Sequence, residues 1–305
     1  PMKILTIIVS YNFERWMKPC LESLTRSVHP TDVLVIDNGS TDRTVSLLRE
    51  SYPWVRLIAN GENLGFGRAN NIGLRLALDE GYDAAFLLNQ DAWVSPDALG
   101  ILAERAERHP AFGILSPVHL NGAGNGLDKG FAQYVGCPRR KDLPADKDIV
   151  EAPFVNAAFW FIPARTLRTV GGFSPLFYHY GEDKDYINRL HRHGLKVGYA
   201  PQAFGCHDRE FRTVSREAFF RSEYVYLLSE YANLNRSFSG AFAYSVLACV
   251  KKALQAFARL KLKDGCTYLR LTAKLSARTC EAVRIRRETE QAGAHFLFSP
   301  QITQI

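Results

Sequence analysis

No apolar run in this 305-residue chain approaches the roughly 18 residues needed to cross a bilayer, and the run at its start, residues 4–9, has only six. No membrane span is expected, and six residues are also too few for a signal-peptide core. Cysteine supplies no framework either. Cys20, Cys137, Cys206, Cys249, Cys266 and Cys280 form no C-x-x-C pair and keep no regular spacing. That argues against a disulfide scaffold or zinc site and for buried free thiols in a reducing compartment. No RNP, zinc-finger or helix-turn-helix signature is present, so nucleic acid is not an expected partner. Apolar residues as a class are not scarce. They make up 47% of the chain, enough for a sizeable core, which excludes disorder throughout.

Charge is placed unevenly. Residues 211–305 hold 15 Lys and Arg against 7 Asp and Glu, a net of +8, whereas residues 1–210 hold 23 against 24. The basicity therefore belongs to the tail, where it can meet an anionic membrane surface or simply water. From residue 216 onward only helical periodicity recurs. Within it, residues 241–250 (AFAYSVLACV) are apolar nearly all round and are followed by Lys251 and Lys252. Two readings stay open for that segment: a helix lying in a membrane interface, or a helix buried as core.

The first hundred residues alternate strand and helix. Residues 4–9 form a β-branched run ending in Ser10, Tyr11 and Asn12, and a helix is expected over 16–27. The pattern repeats with a strand at 33–36 and a helix at 43–50, then with a strand at 55–59 and a helix through Leu78. A fourth strand, 84–88, ends in Asn89, Gln90 and Asp91. Four such units predict an α/β fold with a mostly parallel sheet, flanking helices and polar tips sharing one edge. Beyond lie a helix at 96–108, a strand at 114–117, and a Gly- and Pro-rich stretch, 121–148, that reads as an ordered acceptor loop or a mobile lid. Aromatic residues crowd 154–163. A helix opens at Glu182 with acids in its first turn and ends at Gly194, and a strand is expected at 196–200.

The stretch 86–94, FLLNQDAWV, places two amides and a carboxylate where a buried strand emerges. Asp91 there is either a polar-turn residue or a cation ligand. Asp37, Asp91, Glu182, Asp183 and Asp185 all fall at strand or helix tips of one edge, and His207 follows. Carboxylates plus an imidazole suggest a metal and a base in one cleft. A divalent cation held by Asp91 and His207 would keep positions open for two phosphate oxygens and water.

Five segments together carry a resemblance: SYN at 10–12, VIDNGSTD at 35–42, NLGFGRANNIG at 63–73, LLNQDAWV at 87–94 and YGEDKDYINRLHRHG at 180–194. In order and spacing they are similar to glycosyltransferase family 2, and within it to bacterial rhamnosyltransferases of surface polysaccharide assembly. The resemblance implies a GT-A fold (Rossmann-like, mostly parallel) over residues 1–210, followed by a basic, mainly helical region over 211–305. It also implies a nucleotide-diphosphate-sugar donor, a divalent cation and inversion at the anomeric carbon. Gly65-Phe66-Gly67 as a dinucleotide fingerprint fails, because Asn70 stands where the third glycine belongs and the loop does not follow the first strand.

Carried over residue by residue, the resemblance implies that Asp37 accepts from the donor base, with Ser10, Tyr11 and Asn12 around base and ribose. Asn63, Arg68, Asn71, Asn89 and Gln90 would contact the donor, Arg68 by neutralising a phosphate. Asp91 matches the last acid of a D-x-D motif whose first position here is the neutral Asn89, so His207 gains weight as second metal ligand, with Mn²⁺ favoured over Mg²⁺. Asp183 matches the general base and Glu182 its partner. Trp160 and Phe159 are weak candidates for stacking on an acceptor sugar. The expected donor is dTDP-rhamnose, with a UDP-hexose second, and the acceptor a saccharide or lipid-linked saccharide. The expected location is cytoplasmic, peripheral on the inner face of the membrane, with the tail a candidate for membrane or homo-oligomer contact. The rival readings are a non-catalytic nucleotide-sugar-binding partner and a sugar nucleotidyltransferase. The latter should carry a Gly-rich, Arg-containing loop where Ser10-Tyr11-Asn12 stands.

Overall fold

The computed structural model describes residues 1–209 and 215–298, so the boundary expected at 210–211 lies outside the described residues. Its centre is one mixed sheet of nine strands. The chain begins with β1 (Ile4–Ser10), α1 (Glu14–Thr25), β2 (Asp32–Asp37), α2 (Thr44–Ser51), β3 (Arg56–Ala59), α3 (Phe66–Asp79) and β4 (Ala84–Leu88). β1, β2, β3 and β4 are mutually parallel, with β1 between β2 and β4. Every β4 residue is buried, as both-face burial under flanking helices requires of a parallel strand. Helix α1 buries Met17, Cys20, Leu21 and Leu24, one stripe at helical spacing. Helix α3 lies close on β1, for a Cβ on Gly73 would meet the Ile7 side chain at 2.7 Å.

The second half of the sheet is where expectation and structure part. It comprises β5 (Ala92–Val94), α4 (Ala98–Arg108), β6 (Phe112–Asn121), α5 (Lys129–Val135), β7 (Val150–Glu151), β8 (Phe159–Pro163), α6 (Ala164–Val170), α7 (Glu182–Arg192) and β9 (Lys196–His207). The strand order is β3-β2-β1-β4-β8-β6-β9-β5, with β7 also on β9. β8 runs antiparallel to β4 and β6, and β5 antiparallel to β9. Thus β9 is twelve residues long, not five, because pairing with β6 continues past Pro201 through a register shift. Residues 121–148 carry α5 and a 3-10 turn at Arg140–Asp142, and α5 is capped where the Asp128 carboxylate accepts from the Phe131 N–H.

From Ser215 the described chain is helical: α8 (Arg216–Ala232), α9 (Phe238–Phe242), a π-helical turn (Ala243–Leu247), α10 (Ala248–Ala258), α11 (Leu262–Ala277) and α12 (Thr279–Thr289). These helices share a hydrophobic cluster with Leu176 and Phe177 of the segment before α7. The last described residues also return to the first domain, where His295 O accepts from Gly172 N at 2.8 Å and Leu297 joins the core. Within 241–250, Ala241, Ser245, Val246 and Cys249 are buried while Tyr244 and Leu247 are exposed, so the core reading accounts for one face only. All six cysteines are free, but Cys266 and Cys280 are exposed, against the expectation of burial. No helix among the described residues is long and apolar enough to cross a membrane.

Trp160 and Phe159, expected as acceptor candidates, are out of reach of a sugar. Both are fully buried in β8; the Trp160 indole donates to Val155 O and packs on Phe173 and Tyr186. Core packing, not sugar stacking, explains the aromatic run. The same core encloses Arg189, 1% exposed, whose guanidinium donates to Asp185 at 2.9 Å and to the Val170 and Gly172 carbonyls at 2.8 Å each. Asp185→Ala would strand that charge and cost about 3–5 kcal/mol. Urea unfolding of the variant measures it, and a loss below about 1 kcal/mol would contradict the burial described.

Candidate functional site

A cleft of about 710 Å³ opens between the tips of β1, β2 and β4, the segment before α7, and helices α8 and α11. Of the residues expected to contact the donor, Ser10, Tyr11, Asn63, Asn89, Gln90 and Asp91 line it. Several of these also build the walls. Gln90 accepts from Tyr11 N–H at 2.9 Å and donates to Tyr11 O at 3.1 Å, which ties the β4 tip to the β1 tip. Asn63 Oδ1 accepts from Gly65 N at 2.9 Å, forming an Asx turn into α3. Gly65 must be glycine: its φ is +81°, and a Cβ would lie 2.2 Å from Tyr178 O.

Four other expected donor residues do not line the cleft. Asp37 is 2% exposed, and its carboxylate already accepts from Ser10 Oγ, Gly39 N, Ser40 N and Ser40 Oγ. Four donors exhaust a carboxylate's acceptor sites, so a base N–H could be served only by displacing one. Asn12 sits at φ +54°, with its Oδ1 accepting from Thr41 N and Asp42 N, and so holds the loop together. Asn71 spends both ends of its amide on the Phe173 backbone, at 2.8 and 2.7 Å. Arg68 is exposed on the first turn of α3 and is not among the residues lining the cleft. For Asn12, Asn71 and Arg68 the structure favours scaffold or surface over ligand contact.

The cations of the cleft come instead from the helical tail. Arg221 of α8, Lys274 of α11 and Arg278 after it line the wall that also carries Tyr178 and Tyr180. Arg278 pairs with Glu281 at 2.8 Å, and Lys274 Nζ lies 4.1 Å over the Tyr224 ring. Burial, and then the Arg221 charge, hold His179 below its ordinary value. No sequence signal marked these three cations, because nothing local separates them from the other basic residues of the tail.

Asp91 and His207, 116 positions apart, meet because β5 pairs with β9. Ala92 stands opposite His207, and Asp208 N donates to Asp91 O at 2.8 Å. His207 Nε2 then lies 3.2 Å from Asp91 Oδ1 and 3.5 Å from Asn89 Nδ2. Donors on adjacent positions of a six-coordinate cation stand about 3 Å apart, so the pair fits one whose other ligands are phosphate oxygens and water. Among the described residues no group of three or more His, Cys, Asp or Glu could hold a metal. The Arg209 Nε–H donates to His207 Nδ1 at 3.2 Å, which places the neutral ring's proton on Nε2, facing Asp91. Coordination through Nε2 therefore requires that proton to move and Arg209 to turn away.

Arg209 also lies 3.6 Å from Asp128 and is in electrostatic contact with Asp183 and Tyr134. Asp183 thus faces this second group and is not a wall of the main cleft. Burial raises its pKa, while the Lys184 N–H, at 2.7 Å, and Arg209 oppose the shift. Beside it Glu182 is buried, with Oε2 lacking a hydrogen-bond partner. Burial first, and then the Asp183 charge, push Glu182 up to about 8. At neutral pH burial therefore favours the neutral form of Glu182.

With that geometry in hand, the comparisons with known proteins are specific. The family model for glycosyl transferase family 2 matches residues 6–166, more than half of the chain, and the chain belongs to that family. The N-acetylglucosaminyl-diphospho-decaprenol L-rhamnosyltransferase of Mycobacterium tuberculosis is 27% identical over 84% of this chain and 96% of its own length. Among solved structures, Staphylococcus aureus TarS 1–349 with UDP-GlcNAc superposes with a TM-score of 0.57 at 13% identity, covering 95% of this chain and 88% of its own. The mannosyltransferase PcManGT of Pyrobaculum calidifontis with GDP-Man and Mn²⁺ gives 0.55 at 18% identity, covering 94% and 83%. The fold is therefore the GT-A arrangement with C-terminal helices, and the protein is a glycosyltransferase.

The Glu182 environment makes a pH prediction. Between its ordinary value of 4.5 and about 8 the unfolded chain releases a proton that the folded chain keeps, so stability falls as pH rises through that window. Glu182→Gln stays neutral throughout and should flatten the decline. Urea midpoints at several pH values between these limits measure the two slopes, and equal slopes would contradict the assignment.

Proposed function

We propose that this glycosyltransferase moves rhamnose, with inversion, from a nucleotide-diphosphate donor to a saccharide carried on a polyprenyl diphosphate. The observation that carries it is the meeting of Asp91 with His207 at 3.2 Å on the rim of a cleft lined by Ser10 and Tyr11. The printed name of the mycobacterial relative supports both the sugar and the lipid-linked acceptor. Residues 1–210 carry the transfer, and the helices beyond them close the cleft.

In this reading Asp183 takes the proton of the acceptor hydroxyl as its oxygen attacks the anomeric carbon. The new C–O bond forms while the bond from that carbon to the diphosphate oxygen breaks. A raised pKa suits a general base, and the neutral Glu182 spares Asp183 a second adjacent charge. Asp91 and His207 would hold a divalent cation, which when bound would offer positive charge to the departing diphosphate. Arg221, Lys274 and Arg278 neutralise phosphate from the opposite wall, the role first given to Arg68.

Four measurements bear on this. Asp183→Asn should lower transfer by about 10²-fold or more and leave the donor's thermal shift intact. Unchanged transfer would favour a non-catalytic binder. Asp91→Ala should abolish Mn²⁺-dependent transfer whereas Asn89→Ala mainly weakens donor use, and equal metal affinities in both would place the ligand elsewhere. Arg221→Ala and Lys274→Ala should each weaken binding of nucleoside diphosphate or polyprenyl diphosphate about tenfold, the size of one charge-assisted contact. A panel of dTDP-rhamnose and UDP-hexoses, scored for transfer, tests the donor.

A further inference from the structure

The helices of the tail present a surface that the cleft does not use. α10 and α11 form an antiparallel hairpin joined at Arg259, Leu260 and Lys261, and they close tightly because a Cβ on Gly265 would meet the Phe257 ring at 2.5 Å. The tip of this rigid hairpin is apolar and exposed. Leu260 is 85% exposed, Leu262 62% and, one step back, Leu254 64%. Leu247 and Leu269 continue the exposed leucines along the two helices, each seven residues from Leu254 or Leu262 and so on the same helical face. Leu260 also sits at φ +58°, a left-handed conformation in which glycine or asparagine would be less strained. A strained, exposed leucine at a turn contributes little to the fold.

The charge around the tip is of one sign. Residues 248–277 contain seven Lys and Arg and a single acid, Asp264, which is held by Arg216 at 2.8 Å. Lys252 is paired with Glu223, but Arg259, Lys261 and Lys263 are exposed and make no ion pair among the described residues. Leucines at the tip with unpaired cations beside them match the apolar interior and anionic headgroups of one partner. We infer that the α10–α11 tip docks on an anionic lipid bilayer, with Leu260 and Leu262 entering the interface and Arg259, Lys261 and Lys263 meeting lipid phosphates.

The helix supplies the geometry for a purpose. α11 begins at the tip with Leu262 and reaches the cleft wall at Lys274, twelve residues on, or about 18 Å along its axis. A docked tip would hold the cleft that far from the membrane surface. In that respect the inference rests on the lipid-linked acceptor proposed above, although the docking itself does not.

The full chain should float with vesicles of equal phosphatidylglycerol and phosphatidylcholine at low salt, and detach from them at high salt. Phosphatidylcholine alone should retain it poorly. Lys261→Gln with Lys263→Gln should lower partitioning about 25-fold, at about fivefold per cation. Leu260→Ser with Leu262→Ser should lower it at least about tenfold. Both pairs are exposed, so unfolding midpoints and transfer to a water-soluble acceptor should match the wild type. Wild-type flotation by both variants, or no preference for anionic vesicles, overturns the inference. So does concentration-dependent self-association that Leu260→Ser with Leu262→Ser abolishes while flotation is unchanged, for the tip would then bind a second copy. An active protein that ignores anionic vesicles sinks the docking surface alone, and a floating protein inactive with every donor sinks the proposed transfer alone.

Discussion

A three-residue strand has few hydrogen bonds with which to hold itself, yet the pairing of Ala92–Val94 with the far end of β9 sets the position of everything chemical at the β4 tip. It aligns Ala92 with His207 and clamps the Asp91 carbonyl to Asp208, whose side chain in turn accepts from the Trp16 indole of α1 at 3.0 Å. The pairing exists only because β9 runs on past Pro201 beside β6. Asp91 and His207 converge, in other words, because the edge of a mixed sheet is long enough to bring them together.

Around that contact the polar groups divide into those already satisfied and those left open. Asp37, Asn12, Asn71 and Gln90 hydrogen-bond the chain itself, and they shape a rigid rim. Glu182 is the opposite case, a buried acid oxygen with no partner beside a second carboxylate. Burial makes its neutral form the cheaper one, which limits the negative charge on the pair. Arg209 links that charge to His207, so the proton position on the imidazole and the electrostatics of the base share one guanidinium.

The basic tail serves the same economy of placement. Its helices are fastened to the catalytic core through Leu176 and Phe177, and Gly181, just before the acid pair, leaves no room for a Cβ against Val225 of α8. Some of its cations therefore face the cleft while others ring an exposed hairpin tip. A net charge of +8 says only that such cations are available; their division between the two surfaces is a property of how five helices pack.

The alternating pattern of the first hundred residues was legible because each parallel strand is a continuous apolar run and each helix keeps one buried stripe, signals that are local. The tips that became the cleft, Ser10, Tyr11, Asn63 and Asn89–Asp91, could be read for the same reason, together with the family resemblance. The extension of β9, the three-residue β5 and the burial of Trp160 could not, since a strand of such length or brevity is made by its neighbours. Sequence by itself determined the α/β class, the family and the candidate acids, because these depend on residue type and spacing along the chain. Tertiary structure alone decided that burial drives Glu182 toward its neutral form, that Asp37 is already saturated, and that the tail lends its cations to the cleft. Burial, partner and distance are properties of space, and residues a hundred positions apart acquire them only when the sheet closes.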